Sequence, residues 1–435
     1  IVHSLDGMRM SEAYWYVGGL ANQLREVQGS ALKFLEVGDA ETAIEILLLL
    51  LEEANRAIEY VDDSNGELGG FVGELGTPLA EAILSLELSQ VERAKLAGRL
   101  EKLIRYAGDY GMEGNLDIAV QAAKFGWDDI PEEPASLGRR ESTSDQDDEW
   151  DEDEYELHEW GWPATANFDD LTEAKLNVLD RQGRTEEYLA LCKKEERHLR
   201  YVLKLCDLKQ VTDAVKYARK QLTSAEEIRQ VAQRLRESRL VAEAIEVGEH
   251  GLKLKGPKAA LGEWLGPVEE AQGRTKQALA AWLAAFPEHP TLEAYKTIQR
   301  LAESDWGGLR PEVMAILNKS YDKQVLAQVL LLEEEWDEAI KVAEGRDVWY
   351  TVVEIVADGV ISHRPEWVVK VSLKHAERLM TEPKSKNYPI AAAWLKRAKQ
   401  AYQLLGKTEE WKQYLGEIKE KYKRRPALQN QLARL

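Results

Sequence analysis

The sequence contains little cysteine and no long apolar run. Its 435 residues include two cysteines, Cys192 and Cys206, which are too few for a disulfide framework or for a structural metal site of their own. The longest uninterrupted apolar run, residues 278–286, is far shorter than a membrane-spanning helix. No secretory signal peptide is recognisable. We therefore expect a reduced, cytoplasmic setting and no membrane partner.

Motifs of catalysis and of metal or phosphate binding are missing as well. Seven histidines are scattered along the chain without a His-Glu-x-x-His spacing, and neither a Walker-type phosphate loop nor a Gly-x-Ser-x-Gly elbow occurs. His198 lies between the two cysteines, but six and eight residues away from them, so the three do not share one tight face of a helix. We expect no enzyme activity, no catalytic residue and no cofactor or metal bound to this chain.

A turn followed by a helix recurs along the chain. Clear copies occupy residues 183–189, 273–279 and 406–411, and looser copies occupy residues 38–44, 209–215 and 335–340. We expect glycine to end one helix in the left-handed conformation, and threonine or aspartate to cap the next helix.

The spacing of these turns predicts the fold. The equivalent positions Tyr188, Ala214, Ala244 and Ala278 are 26, 30 and 34 residues apart. Alanine at three of them favours close packing of two helices, because a small side chain lets the backbones approach. The pattern predicts an all-α fold, namely an α-solenoid of stacked antiparallel helical hairpins with tetratricopeptide-like but degenerate repeats.

The acidic charge is concentrated in one segment. The chain carries a formal net charge of −20, and residues 131–170 alone hold 15 acidic and 2 basic side chains. Loop-forming prolines and serines, and repulsion between like charges, predict a break in the fold there. We expect an N-terminal helical module at residues 1–130, an acidic, tryptophan-containing linker at 131–165 that is disordered in part, and a tetratricopeptide-like α-solenoid at 166–435.

Two charged clusters are candidate partner-binding sites. The acidic tract consists of Asp147, Asp148, Glu149, Trp150, Asp151, Glu152, Asp153, Glu154 and Tyr155. The basic end consists of Lys421, Lys423, Arg424 and Arg425. The acidic tract is either part of a solvated linker or, through its aromatic side chains, a segment that docks into a basic groove. The basic end either complements a helix dipole in a capping repeat, or binds a polyanion such as nucleic acid or the acidic tract.

Several stretches resemble a known family. They are residues 171–179, 199–207, 251–264, 290–295 and 393–399, together with residues 11–18 and 60–67 nearer the N-terminus. They resemble the C-terminal helical region of bacterial, especially cyanobacterial, SWIM zinc-finger family proteins, and the resemblance covers nearly the whole chain except the acidic linker. In that family a finger with a Cys-x-Cys and Cys-x-His pattern precedes the helical region. The pattern is absent here, so the resemblance implies that zinc and nucleic-acid binding belong to an N-terminal region missing from this chain.

The sequence supports two functional interpretations. The first is a non-enzymatic protein–protein interaction scaffold, the helical-repeat part of a larger protein, whose concave helical surface binds a protein partner. The alternative is an accessory module of a zinc-finger nucleic-acid-binding protein, in which the acidic linker regulates the basic C-terminal end. The first predicts specific copurifying proteins, and the second predicts a salt-dependent affinity for DNA or RNA.

Overall fold

The regular structure of the described chain is entirely helical. The computed structural model describes residues 10–61, 63–108, 110–111, 115–128, 171–346, 348–382 and 384–435. These residues contain no strand. The chain divides into two compact units, Ile1–Tyr201 and Val202–Leu435.

The first unit is built around a short buried helix, α4. Its helices are α1 (Met10–Glu36), α2 (Ala40–Ala57), α3 (Glu67–Glu74), α4 (Gly76–Leu84), α5 (Gln90–Gly108), α6 (Asp117–Phe125), α7 (Leu171–Arg181) and α8 (Thr185–Lys194). The next helix, α9 (His198–Asp207), contains the boundary between the units. Helix α4 contacts α2, α3, α6 and α7, and its Leu79, Ala80 and Ile83 lie in the core. A helix that is apolar on most sides is stable only when neighbours surround it in this way.

The second unit is a succession of antiparallel helical pairs. Its helices are α10 (Val211–Gln221), α11 (Ala225–Glu237), α12 (Val241–Gly251), α13 (Ala259–Ala271), α14 (Thr275–Ala285), α15 (Leu292–Ala302), α16 (Trp306–Lys319), α17 (Gln324–Leu332), α18 (Trp336–Ala343), α19 (Tyr350–Val360), α20 (Pro365–Thr381), α21 (Tyr388–Leu404), α22 (Thr408–Lys421) and α23 (Pro426–Leu432). Sequential partners such as α11 and α12 pack together, and first helices of neighbouring pairs, such as α15 and α17, also touch. The predicted all-α class and its stacked hairpins are confirmed.

In the described parts of the chain, one turn geometry joins the two helices of seven pairs. The second residue after the first helix is left-handed in each, with φ between 59° and 84°, at Gly38, Gly183, Lys209, Arg239, Gly273, Glu334 and Gly406. The N–H of the following residue donates to a carbonyl five residues earlier, at 2.8–3.0 Å in every copy. This is a Schellman motif, which satisfies carbonyls that the end of a helix leaves free. The predicted role of glycine is confirmed, and three copies use Lys or Glu or Arg in the same conformation.

The predicted capping by threonine is wrong at these turns. Capping by aspartate is confirmed at Asp39 and is wrong at Asp213 and Asp337, which lie inside α10 and α18. Thr185 is already the first residue of α8, and the N-cap position before it belongs to Arg184, which makes no side-chain capping bond. Thr275 and Thr408 have the same position in α14 and α22. In the Schellman turn, the residue directly after the left-handed one is the N-cap of the next helix. Each threonine therefore lies one residue beyond the N-cap position. Asp39 occupies that position and its Oδ1 accepts from the backbone N–H of Thr42 at 3.1 Å.

A matched pair of glycine substitutions tests the turn geometry. Gly183 is left-handed, with φ 69°, whereas Gly98 lies inside α5. A Cβ atom at either position meets nothing within 4 Å, so only the backbone preference differs. We expect Gly183→Ala to lower the free energy of unfolding by about 1 kcal/mol and Gly98→Ala to raise it by about 0.5–1 kcal/mol. Urea unfolding measures both, and effects of the same sign would contradict the assignment of the turn.

In each of these turns a carbonyl accepts the hydrogen bond from the N–H five residues later. In four of the turns that carbonyl belongs to a buried leucine. These leucines are Leu179, Leu205, Leu235 and Leu330. In the α13–α14 turn the same position holds Glu269, which is 0% exposed. Its carboxylate lies 3.2 Å from Nε of Arg274, and Arg274 also pairs with Glu249 at 2.6 Å. A buried acid therefore replaces a core leucine at one point of the repeat.

A second buried acid joins α4 to α7 in the first unit. Glu81 is 7% exposed, accepts a 2.8 Å hydrogen bond from Nδ2 of Asn177 and pairs with the guanidinium of Arg181. The Oδ1 of Asn177 in turn accepts from Arg200. Four polar side chains of α4, α7 and α9 are thus linked by hydrogen bonds.

A buried lysine holds α7 against the end of α6. Nζ of Lys175 donates to the carbonyl oxygens of Trp127 at 3.3 Å and Asp128 at 3.0 Å, just beyond α6. The indole N–H of Trp127 donates to the carbonyl of Leu84 at 3.1 Å, at the end of α4. These bonds group α7 with the helices before the acidic segment. The predicted boundaries at residues 130 and 165 stay a prediction, whereas the contacts place the division between compact units at residue 201.

Candidate interaction grooves

The first groove lies between α10 and α12, the second helices of neighbouring pairs. It encloses about 590 Å³ and is lined by Val211, Thr212, Val215, Lys216, Arg219, Lys220, Glu243, Glu246 and His250. The two valines supply apolar surface, and the ionisable groups surround them. This combination suits a segment of another protein better than a small apolar ligand, because the groove is open and its polar groups are spread along its length.

The free cations of the first groove are two lysines on one helix face. Arg219 pairs with Glu246 at 2.6 Å, so its charge is already balanced. Lys216 and Lys220 are exposed, four residues apart, and form no ion pair within the described chain. The groove therefore offers unpaired positive charge beside apolar side chains.

His250 contributes a neutral side chain to the same groove. Burial lowers the pKa of His250, and the nearby charges of Arg219 and Lys253 lower it further. Its Nε2 is buried and has no hydrogen-bond partner among the described residues. A neutral imidazole can accept a hydrogen bond from a partner group, or donate one, according to its tautomer.

The second groove runs along α16, α17 and α18. It consists of two adjoining cavities of about 390 and 360 Å³, which share the lining residues Asn318, Leu326, Lys341 and Val342. In the first cavity the charges are balanced, because Arg310 pairs with Glu335 at 2.5 Å and Lys341 pairs with Glu338 at 2.6 Å. The second cavity extends to the connections that follow α16 and α18. Both grooves thus use second helices of hairpins as walls.

Some residues of the basic end make contacts within the fold. Arg425 donates to the carbonyl of Met380 and, at 3.4 Å, to that of Thr381, so it complements the C-terminal end of α20. Lys423 pairs with Glu420, and Nζ of Lys421 lies 5.4 Å from the ring centroid of Tyr422. Arg424 is exposed. The interpretation as a helix-dipole partner fits Arg425, although the helix is α20 rather than α22; a partner-binding role of Lys421, Lys423, Arg424 and Arg425 stays a prediction.

The acidic tract, Asp147 to Tyr155, lies outside the described residues, so its predicted docking stays a prediction. The structure instead identifies five other residues as candidates for partner binding. They are Lys216, Lys220 and His250 in the first groove, and the exposed aromatic residues Tyr321 and Trp349 beside the second. Sequence reasoning missed all five. The two lysines could have been recognised in the sequence, since a spacing of four residues on a predicted second helix places both on one face. The aromatic residues carry no such signal, because their exposure depends on how successive turns meet.

Neither cysteine has the properties of a reactive group. Cys192 and Cys206 are buried and free, and burial raises the pKa of both thiols to about 11. A thiol protonated at neutral pH is a poor nucleophile and metal ligand. Among the described residues, no group of three or more His, Cys, Asp or Glu side chains could hold a metal ion. In the same residues, no helix is both long enough and apolar enough to span a bilayer.

Comparisons with known proteins add little to this description. No family model matches the chain, and no curated protein matches it. One similar solved structure is a circular tandem repeat protein with novel repeat topology and enhanced subunit contact surfaces; it is 14% identical, the match covers 96% of this chain and 92% of that one, and the TM-score is 0.20. Such a loose superposition carries no conclusion, so the fold class rests on the helices and contacts above. The resemblance to SWIM zinc-finger proteins stays a prediction.

Proposed function

We propose that this chain is a non-enzymatic protein–protein interaction scaffold, the helical-repeat part of a larger protein. The observation that carries the proposal is the pair of open grooves between the second helices of hairpins in the second unit. Stacked helical hairpins present extended surfaces to partners, and their grooves accept segments of other proteins. Mixed apolar and charged linings, without a convergent set of polar groups around a closed cavity, fit binding better than catalysis.

The first groove supplies the most direct support. Its unpaired Lys216 and Lys220 lie beside Val211 and Val215. A partner segment that places carboxylates on the lysines and apolar side chains on the valines would satisfy both. The charges would mainly raise the rate of association and set the register, while the apolar contacts would supply affinity.

Charge reversal in the first groove tests the scaffold proposal. Partners of the full-length protein are identified by crosslinking mass spectrometry, and their affinities are then measured for Lys216→Glu/Lys220→Glu. We expect affinity to fall about tenfold or more for a partner crosslinked to this groove, because two attractive contacts become repulsive. Lys370→Glu/Lys374→Glu is the matched control, since these lysines also lie four residues apart on an exposed helix face of α20.

Two results would count against the proposal. One is the absence of any partner that crosslinks reproducibly to the second unit of the full-length protein. The other is an equal loss of affinity in the groove variant and the control variant, which would show a general charge effect. The alternative role beside a zinc finger rests on the acidic tract and on the exposed Lys421, Lys423 and Arg424, and stays a prediction.

A further inference from the structure

Two large aromatic side chains meet on the surface beside the second groove. Tyr321 is 79% exposed and Trp349 is 54% exposed. Their ring centroids are 6.2 Å apart and their planes are inclined by 78°, an edge-to-face contact. Tyr321 lies in the connection between α16 and α17, and Trp349 lies in the connection between α18 and α19. A single exposed apolar side chain is ordinary, whereas two in contact at the mouth of a cavity mark an interaction site.

The cavity next to this pair is cationic. Its lining includes Lys323, Lys341 and Arg346, and it includes no aspartate or glutamate. Nζ of Lys323 donates to the carbonyl of Asn318 at 2.6 Å, which orients the ammonium group without neutralising it. Arg346 forms no ion pair within the described residues. Among the described residues, Lys341 alone of the three cations has a carboxylate partner, Glu338 at 2.6 Å.

Part of the lining of the same cavity is apolar. Leu326 is buried, and Val342 and Val348 are half-buried. Exposed rings, aliphatic side chains and cations together form a composite surface. Tryptophan, tyrosine and arginine are also the residues that most often carry binding energy at protein interfaces.

We propose that this aromatic, cationic end of the second groove binds an acidic segment of a partner protein in which carboxylates flank an aromatic side chain. The aromatic side chain packs against Tyr321 and Trp349 and reaches the apolar side chains of the cavity. The flanking carboxylates pair with Lys323 and Arg346. The proposal rests on the scaffold function and names the chemistry of one partner segment.

A protein segment fits this groove better than a nucleic acid does. Cations beside exposed rings would also attract a single strand, through phosphate contacts and base stacking. In the adjoining cavity of the same groove, however, both lining cations are already paired, Arg310 with Glu335 and Lys341 with Glu338. A strand with a phosphate on every nucleotide would find no unpaired cation among these lining residues as it continued along the groove, whereas a polypeptide can change its charge from one residue to the next.

Binding of a defined peptide tests the inference. The probe is a fluorescein-labelled peptide, Asp-Asp-Glu-Trp-Asp-Glu-Asp-Glu-Tyr, which has the required chemistry, and its anisotropy is followed as the full chain is added. We expect saturable binding that Tyr321→Ser/Trp349→Ser weakens about tenfold or more. Lys323→Ser/Arg346→Ser is expected to weaken it similarly and to reduce its dependence on salt. Tyr60→Ser removes an exposed tyrosine elsewhere and is expected to leave the affinity unchanged.

Two further measurements test the need for aromatic side chains and distinguish a partner segment from the chain's own acidic tract as the occupant of the groove. A peptide with leucine in place of its tryptophan and tyrosine is expected to bind more weakly. The probe sequence equals residues 147–155 of this chain, so a variant with that segment replaced by glycine and serine is also titrated. A change in affinity of less than tenfold is the result expected if the groove serves a partner. A tenfold rise would assign the groove to the chain's own tract and would overturn the assignment to a partner.

The inference fails if the peptide does not bind, or if the Tyr321→Ser/Trp349→Ser variant binds it as well as the unaltered chain. It also fails if an oligothymidylate competes for the same residues and binds more tightly than the peptide. Unchanged circular dichroism and thermal midpoint show that each variant is folded, as expected for changes at exposed side chains. A partner that still crosslinks to Lys216 and Lys220 would leave the scaffold proposal standing when this inference fails.

Discussion

Replacing Glu81 with alanine is expected to lower the free energy of unfolding of the first unit by about 3 kcal/mol. The carboxylate is almost completely buried between α4 and α7, and it accepts from Asn177 and pairs with Arg181. Its removal leaves a guanidinium and an amide without their partner inside a packed interface. Removing one member of a buried pair has a larger effect than the pair's net contribution, because the remaining charge stays desolvated.

The size of this effect depends on how far water reaches Arg181. Its side chain is 25% exposed, so part of the stranded charge can be hydrated and the expected value lies at the lower end for buried pairs. Glu81→Gln keeps an acceptor for Asn177 and is expected to have a smaller effect. The midpoint of urea unfolding measures the loss, and amide hydrogen exchange in α7 shows whether the interface opens locally.

An exposed ion pair in the same unit provides the control. Arg25 and Glu74 are 2.8 Å apart and their side chains are 32% and 47% exposed. Glu74→Ala is expected to change the free energy of unfolding by less than about 1 kcal/mol, because solvent screens the pair. Equal effects of Glu81→Ala and Glu74→Ala would show that the buried network does not hold α7 on α4.

Replacing Glu269 with leucine is expected to raise the free energy of unfolding of the second unit by about 2 kcal/mol at neutral pH. Leucine is the residue at the equivalent position of four other turns, so the site is shaped for an apolar side chain. The substitution removes a buried charge. It leaves Arg274 with its second partner, Glu249, at 2.6 Å, so no guanidinium is stranded.

The gain from this substitution is expected to depend on pH. Burial raises the pKa of Glu269 to about 6 from an ordinary value of 4.5, and the nearby carboxylate of Glu249 raises it too, against the opposing charge of Arg274. The folded chain therefore holds this proton more tightly than the unfolded chain does. The stability that comes from the proton is present below about pH 4.5 and is lost as the pH rises through about 6. The advantage of the leucine variant should grow across that window and level off above it.

Two further variants isolate the cause. Glu269→Gln removes the charge but keeps the shape, so it should abolish the same pH dependence while giving a smaller gain. Glu270 is the adjacent residue, pairs with Arg300 and is partly exposed, so Glu270→Leu should change stability by about 0.5 kcal/mol or less. Thermal midpoints between pH 4 and 8 measure all three. A leucine variant that is less stable than the unaltered chain at neutral pH would mean that the acid supports the packing.

The all-helical class and the places where helices turn could be predicted because their causes are local. A Schellman turn is made by hydrogen bonds within six residues, and the glycines at Gly183, Gly273 and Gly406 mark it directly. The error over Thr185 has the same local origin, since the position of the cap depends on which residue is left-handed. The looser copies at residues 209–215 and 335–340 mark two further turns, but the left-handed conformation of Lys209 and Glu334 could not be predicted, because neither residue type favours it by itself.

The grooves could not be predicted because they depend on residues far apart in the chain. Lys216 and His250 come together only where α10 packs beside α12, and Tyr321 meets Trp349 only where two connections adjoin. The acidic tract and the basic end stand out in the sequence because charge is visible there. Arg425 nevertheless turns inward to α20, which follows from packing across 44 intervening residues.

Local chemistry therefore accounts for the helices, their turns and the degenerate repeat of this protein, since backbone hydrogen bonds and the spacing of apolar residues act over a few residues. Tertiary packing decides which charges are buried and which surfaces stay open. Glu269 shows the difference most clearly: in the sequence it is one acid among many, and only the stacking of hairpins places it where other turns have leucine. Desolvation, which depends on every neighbouring helix, then sets both its pKa and its effect on stability.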